Sequence, residues 1–151
     1  MTLVRFFISI TLLISSLFLL ISLAYAQGIL PADDESSKKI VAQVIAAEAC
    51  GEGQRGMELV AQVIRNRAQS WGKTAVQIVT AKNQFYGYTA KNKSKLYQQC
   101  RAQADETAKR MATDQLGNDT SGALYFRQPQ EPVYSWHKIE TFRFKNHVFY
   151  R

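Results

Sequence analysis

Residues 40–67 read IVAQVIAAEACGEGQRGMELVAQVIRNR, and their spacing decides the fold. Val41, Val44, Ile45 and Glu48 fall at i, i+3, i+4 and i+7, which predicts a helix with one apolar face. A carboxylate at the C-terminal end of that face is the unusual feature. Partial burial and the negative end of the helix dipole both disfavour its charged form, so both push its pKa upward. A carboxyl held protonated near neutrality is what a general acid requires. The same spacing also fits a Glu48 that simply emerges into solvent. Gly51 and Gly53 end this helix, and 51–54 is a tight connection. A second helix runs from Gln54 or Arg55 to about Gln69, with Leu59, Val60, Val63, Ile64 and Arg67 at helical spacing. Arg65, Asn66 and Arg67 crowd its end, where cations suit the dipole.

Upstream lies a different kind of sequence. Arg5 precedes an apolar run from Phe6 to Leu23 and then Ala24-Tyr25-Ala26. A basic start, an apolar run and an A-x-A site predict a signal peptide over 1–26, with an uncleaved anchor as the alternative. Residues 27–36 are a polar tether with three successive acids. Ser36 or Ser37 caps the first helix. Residues 37–151 form one domain, large enough to bury a core without metal. Arg5 is the only charge in the leader, so the mature chain is one unit less basic than the full chain's +7. That charge is spread rather than clustered, which predicts no nucleic-acid interface, and anionic cell wall polymers suit it. Cys50 and Cys100 would meet an oxidising compartment after export. A disulfide and two free thiols are both open.

Downstream, Thr74 caps a short helix over 75–80. Residues 82–92 lack a period and carry Asn83, Gln84, Phe85, Tyr86 and Tyr88. Rings stack on the apolar faces of sugars and amides bond their hydroxyl and acetamido groups, so this loop suits a glycan. A loop pinned to the core by Phe85 is the plainer reading. A long helix follows from Lys95 to about Leu116, capped by Ser94 and ended by Gly117. Ala123 to Phe126 reads as a strand. Residues 141–144 and 147–150 read as a hairpin about Lys145-Asn146. The fold class is therefore mainly α, or α+β with a small C-terminal β-hairpin element.

The residue inventory excludes several chemistries. Two histidines without H-E-x-x-H spacing argue against a zinc hydrolase, and no G-x-S-x-G elbow or phosphate loop is present. No metal and no cofactor are expected. Cys50 lies at a helix C-terminus, which suppresses the thiolate that a nucleophile needs. Carboxylate chemistry remains, with Glu48 and Glu52 four residues apart.

Five motifs in order carry a resemblance. They are Ala47-Glu48-Ala49-x-Gly51-Glu52, Val60-Ala61-x-Val63-Ile64-x-Asn66-Arg67, Gln84-Phe85, Gly122-Ala123-Leu124-Tyr125-Phe126 with Pro129, and His147-Val148-Phe149-Tyr150. Together they resemble the SleB-type cell wall hydrolases. The resemblance implies a lysozyme-like helical domain that cleaves peptidoglycan glycan strands as a lytic transglycosylase or muramidase-type glycosidase. Glu48 takes the position of the family's catalytic acid. Glu52, Gln84, Phe85, Tyr86 and Tyr125 are the expected substrate-binding residues. The sequence departs from the family at Ala47, Cys50, Arg127-Gln128 and Lys145-Asn146. Those departures keep two alternatives open, a non-catalytic wall-glycan-binding protein and an N-acetylmuramoyl-L-alanine amidase. A periplasmic or secreted monomer, with no membrane span once the leader is removed, completes the expectation.

Overall fold

The computed structural model describes residues 34–85, 88, 93–135 and 139–151. The expected signal peptide and most of the tether lie outside them. Helix α1 (Glu35–Ala49) is capped by Asp34, whose carboxylate accepts from the Ser37 N–H at 2.7 Å and the Ser36 hydroxyl at 2.9 Å. The cap is thus Asp34 rather than Ser36 or Ser37, because an ionised acceptor makes the stronger bond to the orphan N–H. The helix therefore begins inside the expected tether. Val41, Val44 and Ile45 are at most 1% exposed, and Glu48 in line with them is half-buried. A 3-10 turn (Cys50–Glu52) follows, and Gly53 at φ +76° opens the next helix, a backbone setting that favours glycine.

Helix α2 (Gly53–Trp71) is longer than its pattern suggested and ends on Gly72 at φ +60°. Arg65, Asn66 and Arg67 are accordingly not a solvated helix end. All three are buried within α2. The short α3 (Ala75–Thr80) carries the expected Thr74 cap, reinforced by Gln77 in a capping box.

Helix α4 (Lys93–Ala112) stops before the expected Leu116, and its start puts Ser94 inside the first turn. Asp114, at φ +53°, ends α4 in place of Gly117. The Gln115 N–H reaches Arg110 O at 2.7 Å and the Asp114 N–H reaches Met111 O at 3.2 Å, the two bonds of a Schellman motif. The chain then leaves the helix because Arg65 draws the Leu116 and Gly117 carbonyls, each at 2.9 Å. Helix α4 is also broken at Cys100, which forms a disulfide with Cys50 at a Cα–Cα distance of 5.9 Å. Closing a loop of that length stabilises by about 4 kcal/mol in the chain-entropy model.

Strands β1 (Tyr125–Arg127), β2 (Glu140–Phe144) and β3 (His147–Tyr150) form one antiparallel sheet with β3 in the middle. The hairpin turns at Lys145-Asn146 as expected, and Phe126 pairs with Phe149 across β1 and β3. Strand β1 starts at Tyr125 rather than Ala123, because the Ala123 and Leu124 carbonyls accept from Asn66 and Arg67 of α2. The main core joins α1, α2, α3 and α4. A second cluster of Leu59, Val63, Ala123 and Phe149 seats the sheet on α2, and Phe126 packs against both. The protein is thus mainly helical with a small three-stranded sheet. Among the described residues no helix is long and apolar enough to cross a membrane.

Candidate active site

A cleft of about 780 Å³ opens where the end of α1 meets the sheet. Ala47 and Glu48 come from α1, and Arg67 comes from α2. Asn83, Gln84 and Phe85 follow α3. Tyr125, Phe126, Arg127, Gln128 and Glu131 belong to β1 and the loop after it, and His147 begins β3. Of the residues that the sequence singled out, Glu48, Gln84, Phe85 and Tyr125 meet here. Tyr86 lies outside the described residues. Glu52 does not line the cleft. It is 7% exposed, at the end of the 3-10 turn, apart from the residues that line the cleft.

Arg67 organises this side of the molecule. Its guanidinium is 5% exposed and lies among three rings, 4.9 Å from Phe85, 5.4 Å from Tyr125 and 5.5 Å from Trp71. It donates to Leu124 O at 2.5 Å and to Gln84 Oε1 at 3.2 Å. Burial pushes its pKa down to about 10, against the attraction of Tyr125 and of Glu48. That attraction is reciprocal. A cation beside Glu48 favours the carboxylate, and the spacing argument for a raised pKa did not include it. The signal for Arg67 was nonetheless in the sequence. It falls in line with Val60, Val63 and Ile64, as Glu48 does with its own stripe.

The opposite lip is built by Arg127. Its Nε donates to the Tyr150 hydroxyl at 3.0 Å, and its Nη1 donates to the carbonyls of Gln128, Pro129 and Glu131 at 2.8–2.9 Å. Glu131 in turn accepts from the Gln128 N–H at 2.9 Å. This knot of bonds folds the segment after β1 back over the cleft and sets Glu131 on its rim. Arg127 stood out in the sequence only as a departure from the family pattern and Glu131 not at all, since both lie in an aperiodic stretch around Pro129 and Pro132. His147 occupies the floor, 4% exposed, its ring edge-on to Phe126 with centroids 4.9 Å apart. Its pKa is lowered by burial, against the Glu52 and Glu131 carboxylates.

The cleft thus gathers a carboxyl on a rigid helix end, a second carboxyl on the rim, an imidazole, amides and aromatic rings. That set can protonate a leaving oxygen while rings and amides hold a sugar. Among the described residues, no three His, Cys, Asp or Glu side chains converge as a metal site.

Comparison with known proteins points the same way. Residues 51–150 match the family model described as Cell Wall Hydrolase, a span that begins just after Glu48 and takes in every other cleft residue except Ala47. The chain is 28% identical over 123 residues to the cell wall hydrolase CwlJ of Oceanobacillus iheyensis, covering 78% of this chain and 87% of that protein. Its fold is similar to that of the catalytic domain of the Bacillus cereus SleB protein. There the TM-score is 0.59 at 20% identity, over 82% of this chain and 96% of the other.

Proposed function

Because the chain belongs to the cell wall hydrolase family, we propose that it cleaves the glycan strands of peptidoglycan, with Glu48 as the general acid. The observation that carries this reading is the placement of Glu48. A carboxyl aligned with a core stripe ends a rigid helix at the mouth of a cleft of about 780 Å³ walled by rings and amides. Glu48 gives its proton to the glycosidic oxygen, and the bond to the anomeric carbon breaks. Gln84, Phe85 and Tyr125 hold the sugar, and Arg67 fixes both Gln84 and the electrostatics around Glu48.

The attacking oxygen is either water, in a muramidase-type glycosidase, or the C6 hydroxyl of the muramic residue, in a lytic transglycosylase. The resemblance favours the second. The Cys50–Cys100 bond supports action outside the cytoplasmic membrane, in the periplasm or beyond, following the leader at 1–26. The domain acts as a monomer in this reading.

Mass spectrometry of purified sacculi incubated with the wild type and with Glu48→Gln tests it. The expected products are 1,6-anhydromuramic ends, absent with the variant. Reducing ends, also lost with the variant, assign water as the nucleophile. Released stem peptides on intact glycan would make the protein an amidase. Intact material with both proteins would leave a glycan-binding protein.

A further inference from the structure

Arg127 and Gln128 stand where the sequence departs from the family pattern, and the departure puts a second guanidinium in the wall of the cleft. Its bonds leave part of it unused. Nε is committed to the Tyr150 hydroxyl, and Nη1 is committed to the Gln128, Pro129 and Glu131 carbonyls. Nη2 makes no hydrogen bond among the described residues, so its two N–H groups are open. Arg127 also forms no ion pair among the described residues. Glu140 feels its charge, but that carboxylate is paired with Arg143. Glu131, on the same rim, has Oε2 bonded to the Gln128 N–H.

The two arginines of the cleft are not equivalent. Arg67 is 5% exposed among three rings, whereas Arg127 is half-buried and meets solvent. The cation that a bound molecule can reach is therefore Arg127. Strand geometry fixes where it stands. Tyr125 and Arg127 are two apart on β1 and so project from one face, about 7 Å apart along the strand. The pairing of Tyr125 with Tyr150 and the bond from Arg127 to Tyr150 put all three on that face. A sugar stacked on Tyr125 brings a short side arm within reach of Arg127. A guanidinium with open donors takes a carboxylate in preference to a neutral group, because charge-assisted hydrogen bonds are about twice as strong. Muramic residues carry such an arm, the lactyl ether, whose carboxyl is either free or extended by an acidic stem peptide.

We propose that Arg127 is a specificity-determining residue that binds a carboxylate on the muramic side arm, so that the cleft selects acidic strands over strands whose side arms are neutral. The inference rests on the reading that this cleft cleaves glycan strands. The ligand chemistry is a carboxylate close to the sugar ring, supplied by the lactyl group of a peptide-free strand or by a stem peptide. Arg127 acts on binding and leaves the chemistry to Glu48. Glu131 is the anion that opposes it from the rim.

The test is KM and kcat on soluble, uncross-linked glycan strands. Peptide-bearing strands, and strands stripped of peptide by an amidase, are each used as they are and after carbodiimide coupling to methylamine, which turns their carboxylates into neutral amides. For the wild type at low salt, KM is expected to be about 10-fold lower on the acidic form than on its amidated counterpart, with kcat alike. Arg127→Gln loses that preference. Its KM rises about 10-fold on the acidic form and stays put on the amidated one. Arg127→Lys keeps the charge without the planar fork and retains part of the preference. Lys109→Gln removes one positive charge from the exposed face of α4 and keeps the whole preference, which separates a local contact from net charge.

A preference on the stripped strands assigns the lactyl carboxylate, and a preference confined to the peptide-bearing strands assigns the stem peptide. Equal KM on acidic and amidated strands overturns the proposal. So does an Arg127→Gln defect of one size on both forms, since a misshapen loop after β1 gives that result. Should Arg127→Gln fail to fold, the wild type against Arg127→Lys and Lys109→Gln still decides. Strands left intact by the wild type, or cleaved by Glu48→Gln at the wild-type rate, overturn the reading of the cleft itself, whereas cleavage that ignores the carboxylates overturns only the inference.

Discussion

Arg65 and Arg67 sit two residues apart on one helix, both buried, and they serve opposite flanks of α2. Arg65 faces the segment after α4. It bonds the Leu116 and Gly117 carbonyls at 2.9 Å each and reaches Asp114 at 3.3 Å. Asn66 and Gln62 extend the same flank to Ala123 O and Asp119, each at 2.9 Å. Arg67 faces the cleft. It bonds Leu124 and Gln84, three rings and the attraction of Glu48 surround its charge, and burial lowers its pKa to about 10. The first arginine has the acceptors that a buried guanidinium needs. The second also has acceptors, but it meets them in the wall of the cleft beside Glu48. A buried charge that gathers loop carbonyls holds a structure together, and a buried charge with a shifted pKa in a cleft marks where a protein can meet something else.

The largest effect is expected from Arg67→Met. Turnover of sacculi falls by roughly 100-fold, since Gln84 and Tyr125 lose their anchor and Glu48 loses its neighbouring cation, and a displaced group in a site is felt on that scale. Removing a cation makes the Glu48 carboxyl harder to ionise. The acid therefore stays protonated to higher pH, and the alkaline limb of turnover moves upward. Arg67→Lys does not restore the wild type, because an ammonium cannot span Leu124 and Gln84 as the guanidinium does. A pH–rate profile with an unmoved alkaline limb would break the distinction between the two arginines.

Arg65→Met should act on stability alone. It leaves the buried Leu116 carbonyl without its donor, a loss of about 2 kcal/mol. Thermal melts measure that loss, and turnover per folded molecule stays at the wild-type value with the alkaline limb in place. A changed profile would mean that the 113–124 segment carries the cleft with it, and that the two flanks are one unit.

The same two flanks show what could be read from the chain and what could not. Helix α1, with Glu48 in line with Val41, Val44 and Ile45, was legible because helical period and burial are local properties. The Thr74 cap and the hairpin at Lys145-Asn146 were legible for the same reason. Arg65, Asn66 and Arg67 were read as a polar helix end, because their partners lie 17 to 57 positions away in sequence. Nothing local reports such distant carbonyls. Glu52 was grouped with the substrate-binding residues by its spacing from Glu48. The 3-10 turn and Gly53 rotate it instead beneath the surface, toward His147. The roles of Arg127 and Glu131 stayed hidden because the segment they organise has no period at all, and its shape comes from one guanidinium bonding three carbonyls. Tertiary hydrogen bonds, rather than pattern, assembled the half of the site that the sequence concealed.

The smallest effect concerns the clamp that joins the 3-10 turn to the β2–β3 hairpin beside the cleft. Lys145 turns the hairpin at φ +46°, a left-handed setting that glycine adopts with less strain. Yet its Nζ reaches the Glu52 carbonyl at 2.8 Å, a bond that no glycine can make. Two variants separate the opposing contributions. Lys145→Met keeps the strain and loses the bond, so it should destabilise by about 1 kcal/mol. Lys145→Gly loses both, and the relief of strain offsets the lost bond to leave stability within about 0.5 kcal/mol of the wild type. Their turnovers should nevertheless agree. Both release the 3-10 turn from β3, and both should lower turnover by roughly threefold in a proportion that melting temperature does not track. If Lys145→Gly kept wild-type turnover, the clamp would be a device of the hairpin alone, and the cleft walls would hold their spacing without it.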